Sequence, residues 1–336
     1  MKAIVRESYG GPEAIELKEV STGAPGVGEV LIDVMAASLN AADVHLLRGT
    51  PWPARLAFGL SKPKQPRLGA DVAGRIAAVG AGVSEFSVGD RVFGDLSGAG
   101  FGAFAEQVVA PVNALTNVPE GVSYQHAAAA GMAAVTALQA LRGKVPKVQL
   151  QPGARVLVTG ASGGVGSFGV QLAKAYGAHV TAVTSTAKLA AVAGLGSDVV
   201  IDRQSTDFRS GNERYDLIIE AGGYGPVRTT LKLLNPGGRY VFVGGGGSQT
   251  TAALLLGKSM LAKPDRADLE EVARLLATGA VRPLVGASFA LERAADAVRL
   301  LEGGGAVGKI VLQVGASSAA GAAAEAAPQQ TSAIAV

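Results

Sequence analysis

Apolar positions in the first third of the chain come in short runs, at 3–5, 30–34, 75–79 and 104–109, broken by Gly10-Gly11-Pro12 and Gly89-Asp90. Short runs between glycine- and proline-bearing turns predict strands. From residue 155 the pattern alternates. Arg155-Val156-Leu157-Val158-Thr159 reads as a buried strand, followed by a glycine turn and a helical run to Tyr176. Further strands are expected at 179–184, 199–202, 215–220 and 239–243, with helices at 188–192 and 227–234. Strands alternating with helices predict a parallel sheet with crossovers, so the fold class is α/β and doubly wound. Beyond Pro264, helical spacing returns at 265–276 and 291–301, and 309–314 closes with a strand.

The turn after the strand at 155–159 carries the first candidate chemistry. Thr159-Gly160-Ala161-Ser162-Gly163-Gly164-Val165-Gly166 places an A-x-G-x-x-G register on Ala161, Gly163 and Gly166. The turn must be tight, the backbone must approach a pyrophosphate, and the helix must pack close to the strand. The helix N-terminus then offers amide N–H groups and a partial positive charge to phosphate. Residues 161–166 are therefore expected to bind a dinucleotide.

The end of the next strand selects which dinucleotide. NAD sites usually place an acid about 20 residues after the turn, on the ribose 2′-hydroxyl. Here the stretch is Ala182-Val183-Thr184-Ser185-Thr186-Ala187-Lys188, with no carboxylate before Asp198. Ser185 and Thr186 can donate hydrogen bonds to a 2′-phosphate, Lys188 can neutralise it, and Arg203 can add a second charge. NADPH is the expected cofactor.

Composition narrows the remaining chemistry. At 336 residues the chain has room for about two domains, and 48% hydrophobic against 17% charged residues excludes disorder for most of it. With no cysteine there is no disulfide, no thiol nucleophile and no zinc site that needs a thiolate. The 47 glycines suit many tight turns and close backbone approaches. A net charge of +3 gives no reason to expect a nucleic-acid partner. The run from Ala127 to Leu138 is interrupted by Thr136 and runs into Gln139 and Arg142, short of a membrane span. Arg6 and Glu7 stand where a signal peptide would be apolar, so a cytoplasmic protein without a membrane partner is expected.

Several further stretches resemble the zinc-free quinone oxidoreductase branch of the medium-chain dehydrogenase/reductase superfamily, the zeta-crystallin-like proteins. They are Leu39-Asn40-Ala41-Ala42-Asp43, Gly69-Ala70-Asp71-Val72-Ala73-Gly74, Val88-Gly89-Asp90-Arg91-Val92, Thr136-Ala137-Leu138, the glycine turn and Gly308-Lys309-Ile310-Val311, and the resemblance extends over about residues 1–314. The resemblance implies a GroES-like β-barrel domain over 1–120, rejoined by 283–314, and a Rossmann NADP-binding domain over 121–282. The Ala-rich stretch 315–336 is expected to be a disordered tail.

By the same resemblance, the positions of the catalytic zinc ligands in the metal-dependent relatives are Asn40 and Ala70 here, so no metal is expected. Without a Lewis acid, reduction of a quinone or of an enone C=C bond is the favoured reaction, because charge then develops on an oxygen that hydrogen bonds can stabilise. Asn40 is implied to face nicotinamide and substrate, Asp43 to hold the loop, and Thr136, Gly222, Gly244 and Gly245 to line the cofactor cleft. His45 falls near a tyrosine of several relatives and is the candidate proton donor, while Trp52 is a candidate wall of the substrate site. The alternatives are a zinc-free alcohol or aldehyde oxidoreductase and a non-catalytic NADPH-binding protein. Asp71 replaces the glutamate of many relatives, and 244–262 is shorter than their last strand, which bears on the homodimer the family implies.

Overall fold

The computed structural model describes residues 1–143, 150–244 and 247–315; Gly245 and the stretch 316–336 lie outside the described residues. Five strands form a wholly parallel sheet in the order Val199–Asp202, His179–Thr184, Arg155–Thr159, Tyr215–Glu220 and Leu234–Phe242. The chain runs outward from Arg155–Thr159 in one direction, then returns to its other side with Tyr215–Glu220. That reversal is the doubly wound topology, and it leaves a crevice at the carboxyl ends of those two strands. Four of the strand spans coincide with the apolar runs of the sequence. The last strand begins earlier than its run, at Leu234, with a register shift opposite Tyr215 and Leu217. The preceding helix accordingly stops at Leu231 instead of reaching residue 234. Beyond it, among the described residues, an isolated parallel bridge joins Phe242 to Ser259.

A second, seven-stranded sheet is built mainly from the first third of the chain. Its spine is Glu29–Ser38 paired antiparallel with Asp71–Val79, and Lys309–Gln313 adds to the other edge of Glu29–Ser38. The run at 104–109 is only partly strand. Ala105 bridges to Ala3, and regular pairing with Glu29–Ser38 starts at Gln107. The chain is crossing from one sheet to the other there, so continuous apolar character does not mean one continuous strand.

The helix Tyr124–Arg142 lies between the two sheets and packs on both. Ser123 starts it by accepting the His126 backbone N–H at 3.2 Å. Its buried face is mostly alanine, which lets Ala36, Ala73 and Phe93 of one sheet and Val156 and Val158 of the other share one core. Small side chains buy close approach, and that closeness places a backbone N–H of this helix in the site described next.

Candidate active site

Ser38, Asn40, Asp71 and Lys309 meet where the two sheets adjoin. Asp71 is fully buried, and its Oδ2 accepts from Ser38 Oγ at 2.6 Å, Asn40 Nδ2 at 2.9 Å and Lys309 Nζ at 3.0 Å. Its Oδ1 accepts the Met132 backbone N–H at 2.7 Å. Gly131 permits this contact, since a Cβ there would lie 2.5 Å from Oδ1. Lys309 is 3% exposed and spends all three donors, on Leu39 O at 2.9 Å, Asn40 Oδ1 at 2.6 Å and Asp71. Both ends of the Asn40 amide are thereby held. One Nδ2 hydrogen goes to Asp71, which leaves the other for a ligand.

Asp43 sits one helical turn on. It caps its helix, accepting the Asn40 N–H at 2.8 Å, and also takes the Gly69 N–H at 3.0 Å. Burial pushes its carboxyl up to about 7 against the pull of the Asn40 N–H, with the Asp71 charge adding to the rise. Burial, then Asp71, likewise push Asp95 up to about 6. Lys309 is thus the cation that several buried acids share.

The glycine turn is stitched to this network. Gly308 N–H donates to Ser162 O at 2.7 Å, and the lysine stem passes so close that a Cβ on Gly164 would lie 2.9 Å from Lys309 Cδ. Gly160 has φ of 63°, and a Cβ on Gly166 would lie 2.1 Å from the Gly160 carbonyl oxygen, so both positions require glycine. Gly163 starts the helix Gly164–Ala175 without a side-chain cap, and Gly163, Gly164 and Val165 are half-buried. Uncapped amides of a twelve-residue helix beside a crevice fit the pyrophosphate of a dinucleotide. Across the crevice, Thr159 Oγ1 donates to Glu220, and Gly222 N–H lies 3.4 Å from Thr159 Oγ1. Ala161 and Ser162 are buried within the turn. Gly244 is half-buried just beyond the strand Leu234–Phe242.

At the end of His179–Thr184, Lys188 donates to the carbonyls of Gly304 at 2.8 Å and Ala306 at 2.7 Å. Burial, then the nearby Arg203 charge, lower its pKa. Arg203 stacks 4.5 Å from the centre of the Tyr224 ring and lines a cavity of about 540 Å³. The hydroxyl of Thr184, buried at the strand end, has no partner among the described residues, and Ser185 is half-buried next to it. These groups fit the ribose and phosphate end of a dinucleotide. Sequence reading missed one member, Asp202, whose Oδ2 accepts from Thr186 Oγ1 at 2.6 Å. It closes the neighbouring strand, so only the sheet order brings it here.

The other candidates stand apart from the buried network. His45 is exposed, with Nδ1 3.4 Å from Thr50 Oγ1, and Trp52 is 63% exposed. Thr136 is buried on the central helix and donates to Met132 O at 2.7 Å. No helix among the described residues is long and apolar enough to cross a membrane, and none of their His, Asp and Glu side chains form a group of three that could hold a metal.

Comparison with known proteins agrees with this architecture. Residues 26–120 match the family described as alcohol dehydrogenase GroES-like domain, and residues 195–312 the family described as zinc-binding dehydrogenase. The chain is 33% identical to a chloroplastic quinone-oxidoreductase homolog of Spinacia oleracea, over 93% of this chain and 98% of that protein. It is 31% identical to an acryloyl-coenzyme A reductase of Metallosphaera sedula, over 93% of this chain and 99% of that one. The solved structure of a quinone oxidoreductase from Coxiella burnetii superposes with a TM-score of 0.82 at 28% identity, covering 94% of this chain and 99% of its own.

Proposed function

Because the chain belongs to the quinone oxidoreductase-like branch of the medium-chain dehydrogenase/reductase superfamily, we propose that it transfers a hydride from NADPH to a quinone or to the C=C bond of an α,β-unsaturated carbonyl, with no metal ion. It is an oxidoreductase with a nicotinamide cofactor; the acceptor, the choice of NADPH and the metal independence are the proposal.

The observation that carries the reading is the locked amide of Asn40, held between Lys309 and Asp71 with one N–H to spare. A fixed donor next to a buried ammonium is suited to an oxygen that gains negative charge as the conjugated system is reduced. Asn40 and Ala70 stand where metal-dependent relatives have their zinc ligands, and neither is a usual ligand. Bound NADPH supplies the hydride. The glycine turn holds its pyrophosphate, while Lys188, Arg203 and Ser185 hold the 2′-phosphate. Two mutually repelling cations, neither salt-bridged to a carboxylate among the described residues, favour the phosphorylated cofactor. His45, within the helix Ala41–Arg48 that Asn40 starts, is the candidate proton donor of this reading, although it is exposed and stands apart from the Asn40–Asp71–Lys309 network.

The test is NADPH consumption by chelator-treated protein with phenanthrenequinone, a linear enone and an acyclic ketone, each repeated with NADH. Quinone or enone turnover that prefers NADPH and survives the chelator is expected. Turnover confined to the ketone and abolished by the chelator would overturn the reading. Asn40→Ala should lower kcat about 100-fold while NADPH binding, read by fluorescence titration, changes little. An unchanged kcat would reduce Asn40 to an anchor for Lys309.

A further inference from the structure

Away from the glycine turn, a cavity of about 270 Å³ lies against the helix Ala41–Arg48. Three cations line it, Arg6, Lys64 and Arg67, together with the apolar Leu46, Phe58 and Phe101, and no Asp or Glu is among its lining residues. Arg6 is 1% exposed yet forms no salt bridge among the described residues. Its guanidinium donates to the carbonyl of Leu46 and, at 3.5 Å, to that of Gln65, and Nε finds no acceptor among the described residues. Asp43, whose charge reaches Arg6, commits both oxygens to the N–H groups of Asn40 and Gly69. Among the described residues, the side chains of Lys64 and Arg67 make no hydrogen bond or ion pair.

A buried guanidinium compensated only by the Tyr9 ring, 5.3 Å away, and by the charge of Asp43, whose oxygens bond elsewhere, is costly, because desolvation is only partly repaid. An anion entering the cavity would repay it, and guanidinium groups match the paired oxygens of carboxylates and phosphates. The apolar walls suit a ligand that carries its charge on a compact hydrocarbon body. The volume corresponds to about nine waters at roughly 30 Å³ each, which is room for an ion the size of benzoate. Phe101 supports a built site. It is the single non-glycine residue with positive φ among the described residues, at 63°, a conformation that a bulky side chain adopts only when its surroundings impose it.

We infer that this cavity binds a small amphiphilic anion, a carboxylate or a phosphate monoester on an apolar body, with the charge on Arg6 and Arg67 and Lys64 at the rim. The inference does not rest on the hydride-transfer reading, since no residue of the glycine turn lines the cavity.

Calorimetric titration of the full chain with benzoate, phenyl phosphate and the neutral benzamide tests it. At least one anion should bind ten-fold or more tighter than benzamide, and comparison of the two distinguishes carboxylate from phosphate. The double variant Lys64→Gln/Arg67→Gln should weaken that anion about ten-fold, with an unchanged thermal transition as its folding control. Benzamide binding as tightly as both anions would overturn the inference. So would an unchanged anion affinity in the double variant, or an equal loss in Lys188→Gln, which would place the anion at the cofactor site.

Discussion

Lys309 and Lys188 both donate to backbone carbonyls, but they stand in opposite electrostatic situations. Lys309 is almost fully buried, uses all three donors and is paired with a buried carboxylate. Lys188 is half-buried, uses two donors on carbonyls that offer no net charge, and faces another cation, Arg203. The first circuit is closed within the chain. The second is left open. A closed circuit of buried charge holds a structure in one arrangement, because removing either partner strands the other in a low-dielectric interior. An open one costs little where water reaches it and leaves charge free to meet a ligand. On the proposed function, the two lysines separate what builds the site from what would meet the cofactor.

The sharpest way to break that comparison is Lys309→Met. It keeps the aliphatic stem against Gly164 but leaves Asp71, Asp43 and Asp95 without their shared cation. Loss of one partner of a buried pair costs about 3–5 kcal/mol, so the urea midpoint should drop steeply. A loss below about 1 kcal/mol would mean that the hydrogen bonds to Asp71 from Ser38, Asn40 and Met132 suffice alone.

The same network makes stability depend on pH in a defined direction. Asp43 and Asp95 are held at about 7 and about 6, above the 3.8 of an ordinary aspartate. Below pH 4 both states carry these protons; between there and about 6 to 7 the folded chain keeps protons that the unfolded chain has released. The unfolded state then binds fewer protons, and stability falls with rising pH, by about 1.4 kcal/mol per unit for each group inside its window. Denaturant unfolding between pH 5 and 8 should show that fall, levelling off above about 7, and Asp95→Asn should flatten its lower part. A flat profile across this range would show that both carboxyls are already ionised in the fold.

The two circuits also differ in how far a sequence discloses them. The parallel strands at 155–159, 179–184 and 215–220 are legible to the residue, because strands buried on both faces are nearly continuous apolar runs, broken here only at Thr181 and Asp216, that end at polar positions. The glycine turn is equally local. Lys188 is noticed because its own strand end, 182–188, carries no carboxylate, and that too is a local signal. The pairing of Lys309 with Asp71 spans 238 positions, and no spacing rule reaches that far. Gly131 and Gly164 look like helix and turn glycines, yet each makes room for this network. Asp202 escapes for a similar reason, since it meets Thr186 only through the order of strands. Arg6 is the most misleading residue. In the sequence it looks like surface charge near the start of the chain, and in the fold it is 1% exposed.

Lys188→Ala sharpens the comparison from its weaker side. The carbonyls of Gly304 and Ala306 belong to an exposed glycine-rich turn, so water can replace the ammonium there. Unfolding free energy should change by no more than about 0.5 kcal/mol, as for a surface substitution that strands no buried charge. Cofactor affinity should behave differently. A charge-assisted hydrogen bond is worth about 1.5–3 kcal/mol, so NADPH binding should weaken about 10- to 100-fold. NADH, which lacks the 2′-phosphate, should bind almost as before. Fluorescence titration of both cofactors against both proteins reads this directly. Equal losses for NADH and NADPH would move Lys188 away from the 2′ position and leave it a brace for the turn at 303–306. In that case the open circuit would be structural as well, and the contrast with Lys309 would be one of degree.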